Sequence, residues 1–435
     1  MAEVHAFRGW RYDMAQVGSL SDVTAPPYDV INPDQQKRLY EQHPCNVVRL
    51  ILNRTEPGDE GTGERYARAA EFLRRWQAEG ILIQEREEAF YVYHQEFEWE
   101  QQRFVRKGFL GRLRLEEFGK GNVFPHEQTF SGPKADRLEL TRACRTNLSP
   151  IFGLYPDDGA QVQEPLEKAV ASATPLEAVD ELGVAHRLWP VTELSAINAV
   201  RERLREQPIF IADGHHRYET ALNYRNWLKE ERRLEGETAA PNFMLMHFVA
   251  MNDSGLAILP THRLVSGIPE VSSEVLKSLL ASHFEVETIG TGDAAARETW
   301  ERMEVDGGQD VFGFGTAGDN TWLLARLVDS SPMATLAPEQ SEGWRSLGVS
   351  VLHKMVLEHL LREKFPEAEP TCRYVRSLDE VISAQTGETC PLSCLVAPAG
   401  IEHVQEIASK FERMPQKSTY FYPKLLSGLV FNPLN

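Results

Sequence analysis

The stretch "PIFIADGHHRYETALNYRNWL", residues 208–228, contains the junction from which the rest of the chain can be read. Its apolar run at 209–212 reads as a buried strand, and Asp213 and Gly214 form a turn. Tyr218, Ala221, Leu222 and Leu228 then recur at helical spacing, so a helix with one apolar face follows. Two histidines and an arginine therefore fall in the first turn of that helix, behind a glycine. First-turn N–H groups have no intrahelical partner and carry the positive end of the helix dipole, which suits an anion. Gly214 tolerates left-handed backbone and close approach of a ligand, and Asp213 is placed to cap some of the N–H groups. His215 and His216 add donors, and Arg217 can hold two phosphate oxygens at once. Three readings stay open: a plain helix start, a phosphate cradle and a metal site. Adjacent helical residues point about 100° apart, which suits a single metal poorly, and no H-E-x-x-H accompanies them.

Around this junction the pattern predicts helices over 63–80, 133–147 and 193–207 and a β-hairpin over 89–113. The run 242–251 reads as a buried strand, with 256–265 as its hairpin partner, and "NVVRLIL" (46–52) as a strand carrying Arg49. Beyond 270, helical and strand patterns alternate loosely. The mixed order predicts an α+β fold with mixed sheets rather than a regular parallel α/β sheet. A chain of 435 residues exceeds the usual span of one core, so two regions are expected, 1–236 and 241–435, joined by "EGETAAP" (235–241).

Composition narrows the function. A net charge of −18 argues against a general nucleic-acid binder, which needs a phosphate-neutralising surface, but not against a local cationic pocket. No run is long and apolar enough for a membrane span, and "MAEVHAFRGWRYD" lacks the pattern of a secretory signal. Five cysteines do not suggest a disulfide framework, so the cytoplasm is expected. Cys390 and Cys394 lack the second pair of a structural zinc site.

Further polar groups gather in three places. "NVFPHEQTFSGPKADRL" (122–138) holds His126, Glu127, Lys134, Asp136 and Arg137 around Gly132-Pro133. A Gly-Pro hinge before a basic helix start would place Lys134 and Arg137 over phosphates, with Glu127 as general base or Mg²⁺ ligand. "TAPPYDVIN" (24–32) holds Tyr28 and Asp29 behind a rigid Pro-Pro, either at a pocket rim or with Asp29 capping the helix that starts at Pro33. "PQKSTYFYPK" (415–424) sets Lys417, Ser418 and Thr419 before aromatic residues; no Walker glycines precede them. "PTHRLV" (260–265) brings His262 and Arg263 to a strand end.

"IADGHHRYETA" resembles a box of the ParB/sulfiredoxin-like class in which Gly-x-x-Arg-x-x-Ala starts a helix against nucleotide phosphates; Ala221 falls one position late. The histidine pair also resembles the ADP-dependent free serine kinases of that class. "FRGWRYD", "APPYDVI", "NVVRLIL", "HEQTFSGPKADRLEL", "NLSPIFGLY", "IADGHHRYETAL" and "MPQKSTYFYPKLLSGLV" resemble a prokaryotic family catalogued as a domain of unknown function and related to that class. The resemblance implies a ParB/sulfiredoxin-like nucleotide-binding core, with an added C-terminal α+β region. It implies phosphoryl transfer from ADP or ATP, with Mg²⁺, to a small hydroxyl metabolite, free serine being the expected acceptor. Phosphate contacts would come from Asp213, Gly214, His215, His216, Arg217, His126, Lys134, Arg137, Lys417 and Ser418, and the proton acceptor would be Glu127 or Asp29. A nucleotide-binding switch and a phosphate-ester hydrolase are the rival expectations.

Overall fold

The computed structural model describes residues 2–61, 63–99, 101–129, 131–157, 159–386 and 390–435. Phe130, inside the expected phosphate-binding stretch, lies outside the described residues. The chain folds into two compact units. The first comprises Met1–Pro125, Thr129–Ala257 and Pro423–Asn435; the second comprises His126–Gln128 and Ile258–Tyr422.

Among the described residues, the first unit holds a nine-stranded mixed sheet. The expected hairpin supplies its long pair, Phe90–Trp99 against Gln102–Arg114. The fully buried strand Phe243–Ala250 runs antiparallel to the second hairpin strand and parallel to Ile151–Tyr155. Ile209–Asp213 then pairs with Ile151–Tyr155 antiparallel and with Val123–Pro125 parallel. Strands buried on both faces read as continuous apolar runs, as "FMLMHFVA" does. Phe109, Phe248, Ile211, Val200 and Tyr218 belong to one buried cluster, so the sheet and two of its helices, Leu194–Leu204 and His215–Glu230, share a core.

The second unit is built on a six-stranded sheet in which every described pairing is antiparallel. Its helices include the nine-residue π-helix Leu352–Leu360. The fold is thus α+β with mixed sheets, as the alternation of patterns implies.

Several local expectations differ from the structure. The first unit continues past residue 241, because the strand Phe243–Ala250 is central to its sheet and residues 423–435 return to it. Residues 262–266 are not the hairpin partner of that strand; they pair inside the second unit's sheet. "NVVRLIL" contains a helical turn, Val48–Ile51, in which Arg49 lies 4.3 Å from the Tyr40 ring centroid and donates to the Tyr40 carbonyl. An extended backbone is unnecessary there, since the turn buries Val48, Leu50 and Ile51 by packing against the helices Pro33–Gln42 and Gly63–Ala78. Asn32, not Asp29, caps the helix Pro33–Gln42, its Oδ1 accepting from the Gln35 amide at 2.8 Å.

In the second unit His262 is buried, its ring 4.8 Å from Trp300, and burial together with the Arg263 charge pushes its pKa down to about 3. His353 is pushed to about 3 by burial, with Arg263 and Lys354 adding to the effect. Both rings are neutral when folded, whereas unfolding restores a value near 6.5. Below that value the unfolded chain binds more protons, so acidification favours unfolding, by up to ~1.4 kcal/mol per histidine for each pH unit. The second unit should therefore melt several degrees lower at about pH 5.5 than at about pH 7.5. His262→Asn should flatten that slope; calorimetry across the pH range checks both.

Candidate functional site

The strand Ile209–Asp213 bulges at Ala212, where its register against Ile151–Tyr155 shifts. A bulge re-aims the side chain that follows it, and here that residue is Asp213. Its Oδ2 accepts from Arg217 Nη2 at 2.9 Å and its Oδ1 from Lys424 Nζ at 2.9 Å. Burial opposes ionisation of this carboxyl, but Lys424 and Arg217 hold it well below the usual carboxylate range, with His215 adding to the effect. The N-cap position of the helix His215–Glu230 is Gly214, at φ 92°, rather than Asp213. A Cβ at Gly214 would meet Ile151 Cγ2 at 2.6 Å, so backbone conformation and packing both require glycine.

Arg217 is 8 % exposed rather than open to solvent. Besides Asp213 it donates to the Pro150 carbonyl. His215 is buried and His216 partly so. The two expected stretches do meet within the first unit: the helix Ser131–Cys144 packs on His215–Glu230. Gly132-Pro133 lies inside the first turn of the former, where proline is tolerated. Lys134 Nζ bridges to Glu219 Oε2 at 2.6 Å and Thr129 Oγ1 at 3.0 Å. Its charge is thereby matched by a carboxylate on the facing helix, which weakens its expected role over phosphates.

Arg137 and Arg217, by contrast, line one small cavity of about 50 Å³ together with Tyr28, Thr141, Ser149 and Thr220. The Arg137 guanidinium lies 4.0 Å from the Tyr28 ring centroid, pairs with Asp136 and donates to the Ile51 carbonyl at 2.6 Å. Thr220 is 3 % exposed and its hydroxyl has no hydrogen-bond partner. A buried hydroxyl left unmatched costs about 1–3 kcal/mol, so this atom invites a ligand or a water. A guanidinium has five N–H groups, and both arginines keep donors beyond those described. A neighbouring pocket of about 310 Å³ shares Tyr28, Ile51, Arg137 and Leu140 and adds Asn53, Arg65, Tyr66 and Pro133. Asp29 is exposed beside Tyr28.

The remaining expected residues belong to the second unit. His126 Nε2 lies 3.0 Å from Thr419 Oγ1, and residues 127 and 414 form a β-bridge. Glu127 Oε1 accepts weakly from the Lys417 amide, at 3.4 Å, where Lys417 adopts a left-handed φ of 54°. The buried Ser418 hydroxyl donates to the Pro415 carbonyl. These bonds tie Glu127 and Ser418 to the backbone of the 415–419 turn. Among the described residues, no group of three or more His, Cys, Asp or Glu side chains is placed to hold a metal ion. No helix is long and apolar enough to cross a membrane among those residues. Sequence reasoning missed Lys424 and Thr220 as site members. Lys424 stood in a quoted stretch, but its partner lies far away in sequence.

The chain belongs to the family described as "Protein of unknown function (DUF1015)", whose profile matches residues 4–350. A search of curated proteins finds no match. Among solved structures the chain is similar to a free serine kinase in complex with AMP, at 13 % identity and TM-score 0.32, covering 69 % of this chain and 83 % of that one. It is also similar to a conserved hypothetical protein from Pyrococcus furiosus, at 13 % identity and TM-score 0.31, covering 69 % and 87 %. A third is SbnI with C-terminal truncation from Staphylococcus aureus, at 10 % identity and TM-score 0.30, covering 72 % and 84 %.

Because Arg217 shares a partly buried carboxylate with Lys424, Arg217→Ala should cost stability as well as any ligand affinity. Breaking a buried pair typically costs ~3–5 kcal/mol; Lys424 remains to neutralise Asp213, so about 2 kcal/mol is expected here. Denaturant unfolding of the purified variant measures it, and a stability equal to the parent's would show that the pair is idle.

Proposed function

We propose that the small cavity between the Ser131 and His215 helices receives the phosphate end of a nucleotide. The observation that carries this reading is that Arg137, Arg217 and Thr220 line one small cavity, with the buried Thr220 hydroxyl unmatched beside it. Guanidinium groups suit phosphate oxygens because their N–H groups form planar forks. The neighbouring pocket, about 310 Å³, is within the range of small-molecule sites, ~300–1,000 Å³, and would take the nucleoside. The likeness of the Gly214–Ala221 stretch to a nucleotide-phosphate box supports the same ligand.

The proposed reaction is phosphoryl transfer from ADP or ATP to the hydroxyl of a small polar metabolite, free serine first. The acceptor oxygen attacks the terminal phosphorus, the bond to the bridging oxygen breaks, and the shortened nucleotide leaves with that electron pair. The hydroxyl proton passes to a carboxylate, for which we assign Asp29 beside Tyr28. Arg137 and Arg217 would balance the charge that spreads over the phosphoryl oxygens. Mg²⁺ does not fit the residues themselves: none of the residues lining the small cavity carries a carboxylate, and Asp136 next to it is engaged by Arg137 and Tyr66. No step is therefore assigned to a metal. That same lack of a carboxylate in the cavity favours a second reading, a nucleotide-binding switch without small-molecule chemistry.

Phosphorus NMR on protein incubated with ADP or ATP, with and without serine, separates the two. Transfer gives phosphoserine only when the acceptor is present; a switch binds nucleotide and makes no such product; absence of binding overturns both. By titration calorimetry, Arg137→Ala should weaken nucleotide binding about ten- to a hundredfold, the worth of a charge-assisted hydrogen bond. Thr220→Val should weaken it less, by roughly fivefold, and leave the melting temperature unchanged or raised, since its hydroxyl is unmatched in the ligand-free protein.

A further inference from the structure

The second unit contains a pocket of about 480 Å³ that the proposed nucleotide site does not use. It lies between the π-helix Leu352–Leu360, with its short α-helical extension Leu361–Lys364, and the strand Thr371–Val375. Four of its lining residues, His353, Leu357, Glu358 and Arg362, are spaced i, i+4, i+5 and i+9. That is the face produced by i→i+5 bonding; an α-helix would turn Arg362 away from His353. π-helical turns are rare, and they recur where function needs a side chain at an otherwise unreachable angle.

Behind His353 sits Arg263, 1 % exposed, with no carboxylate in ion-pair range among the described residues. Its donors go instead to the carbonyls of Thr261, Gln416 and Lys417 and to His353 Nε2, with the Tyr374 ring centroid 5.5 Å away. Arg263 Nε lies 3.4 Å from His353 Nε2; because a guanidinium only donates, this long contact favours the tautomer with the lone pair on Nε2 and the ring proton on Nδ1. His353 Nδ1 and the Tyr374 hydroxyl have no hydrogen-bond partner among the described residues, and neither is sealed from solvent. Both line the pocket as neutral donors. Lys354, Arg362 and Arg413 stand around it against Glu339 and Glu358, so with Arg263 behind the wall the local balance is cationic on an acidic chain. Trp344, Leu357, Pro370 and Met414 supply apolar wall.

We propose that this pocket binds a small oxyanion, a carboxylate or phosphate carried on an apolar body, with His353 Nδ1 and the Tyr374 hydroxyl donating to its oxygens. The buried Arg263 charge acts through His353: it fixes the tautomer and, with burial, keeps the ring unprotonated. Arg263 and His353 are in this sense a positioning residue and a binding residue.

Nitrogen NMR on the full chain labelled at histidine tests the assignment, with benzoate and phenyl phosphate as probes and benzyl alcohol as the uncharged control. His353 should appear as the Nδ1–H tautomer at neutral pH. Its signal should shift saturably with benzoate, phenyl phosphate or both, the tighter probe naming the headgroup, and stay unmoved by benzyl alcohol. Tyr374→Phe should weaken the tighter probe roughly tenfold with an unchanged melting temperature. Arg362→Glu, at an exposed position, should weaken it too, and serves as the test if Tyr374→Phe does not fold. An Nε2–H tautomer, no saturable shift with either anion, or equal response to benzyl alcohol overturns the proposal.

Discussion

The carboxylate of Asp213 is the point on which the first unit's candidate site depends. It stands at the end of a bulged strand, and it takes one cation from the helix that follows and one from near the chain's far end, Lys424. A partly buried carboxylate costs several kcal/mol to desolvate unless cations and hydrogen bonds replace its water. Asp213 has both cations at 2.9 Å, so it stays charged, and in staying charged it fixes three pieces of backbone together. Arg217, so held, is one of the residues that line the small cavity.

Two deeply buried arginines follow a different rule. Arg106 in the first unit bonds Gln95 and the Pro423 carbonyl and stacks on Phe152. Arg263 in the second bonds the Gln416 and Lys417 carbonyls. Burial lowers the pKa of each to about 10, yet a guanidinium at that value is still charged at neutral pH. These bonds go to neutral oxygens, backbone carbonyls and the Gln95 amide. Each arginine thus secures a stretch of irregular backbone, Pro423 and the 416–417 turn, that no sheet ladder would hold.

The helix start at His215 shows how one set of residues serves structure and chemistry together. Gly214 is required by a left-handed turn and by Ile151, Arg217 by Asp213 and Pro150, and His215 is buried. Beside these contacts lies the small cavity, lined by Arg137 stacked on Tyr28, by Arg217 and by Thr220, whose buried hydroxyl is unmatched.

Periodicity by itself determined the hairpin 89–113, the strand 242–251, the strand-turn-helix at 208–228 and the α+β class, because burial of alternate or helically spaced apolar residues is a local property of the chain. It also located the two helix starts whose side chains converge. Tertiary structure alone decided which charges remain available. Lys134 is matched by Glu219, Arg217 by Asp213 and Asp213 by Lys424, across separations of 85, 4 and 211 residues. It likewise decided that residues 423–435 return to the first unit and that His126 and Glu127 belong with the second. Ion pairing and burial are set by distance in space, and a sequence pattern carries no record of which distant carboxylate will lie within 3 Å of a given cation.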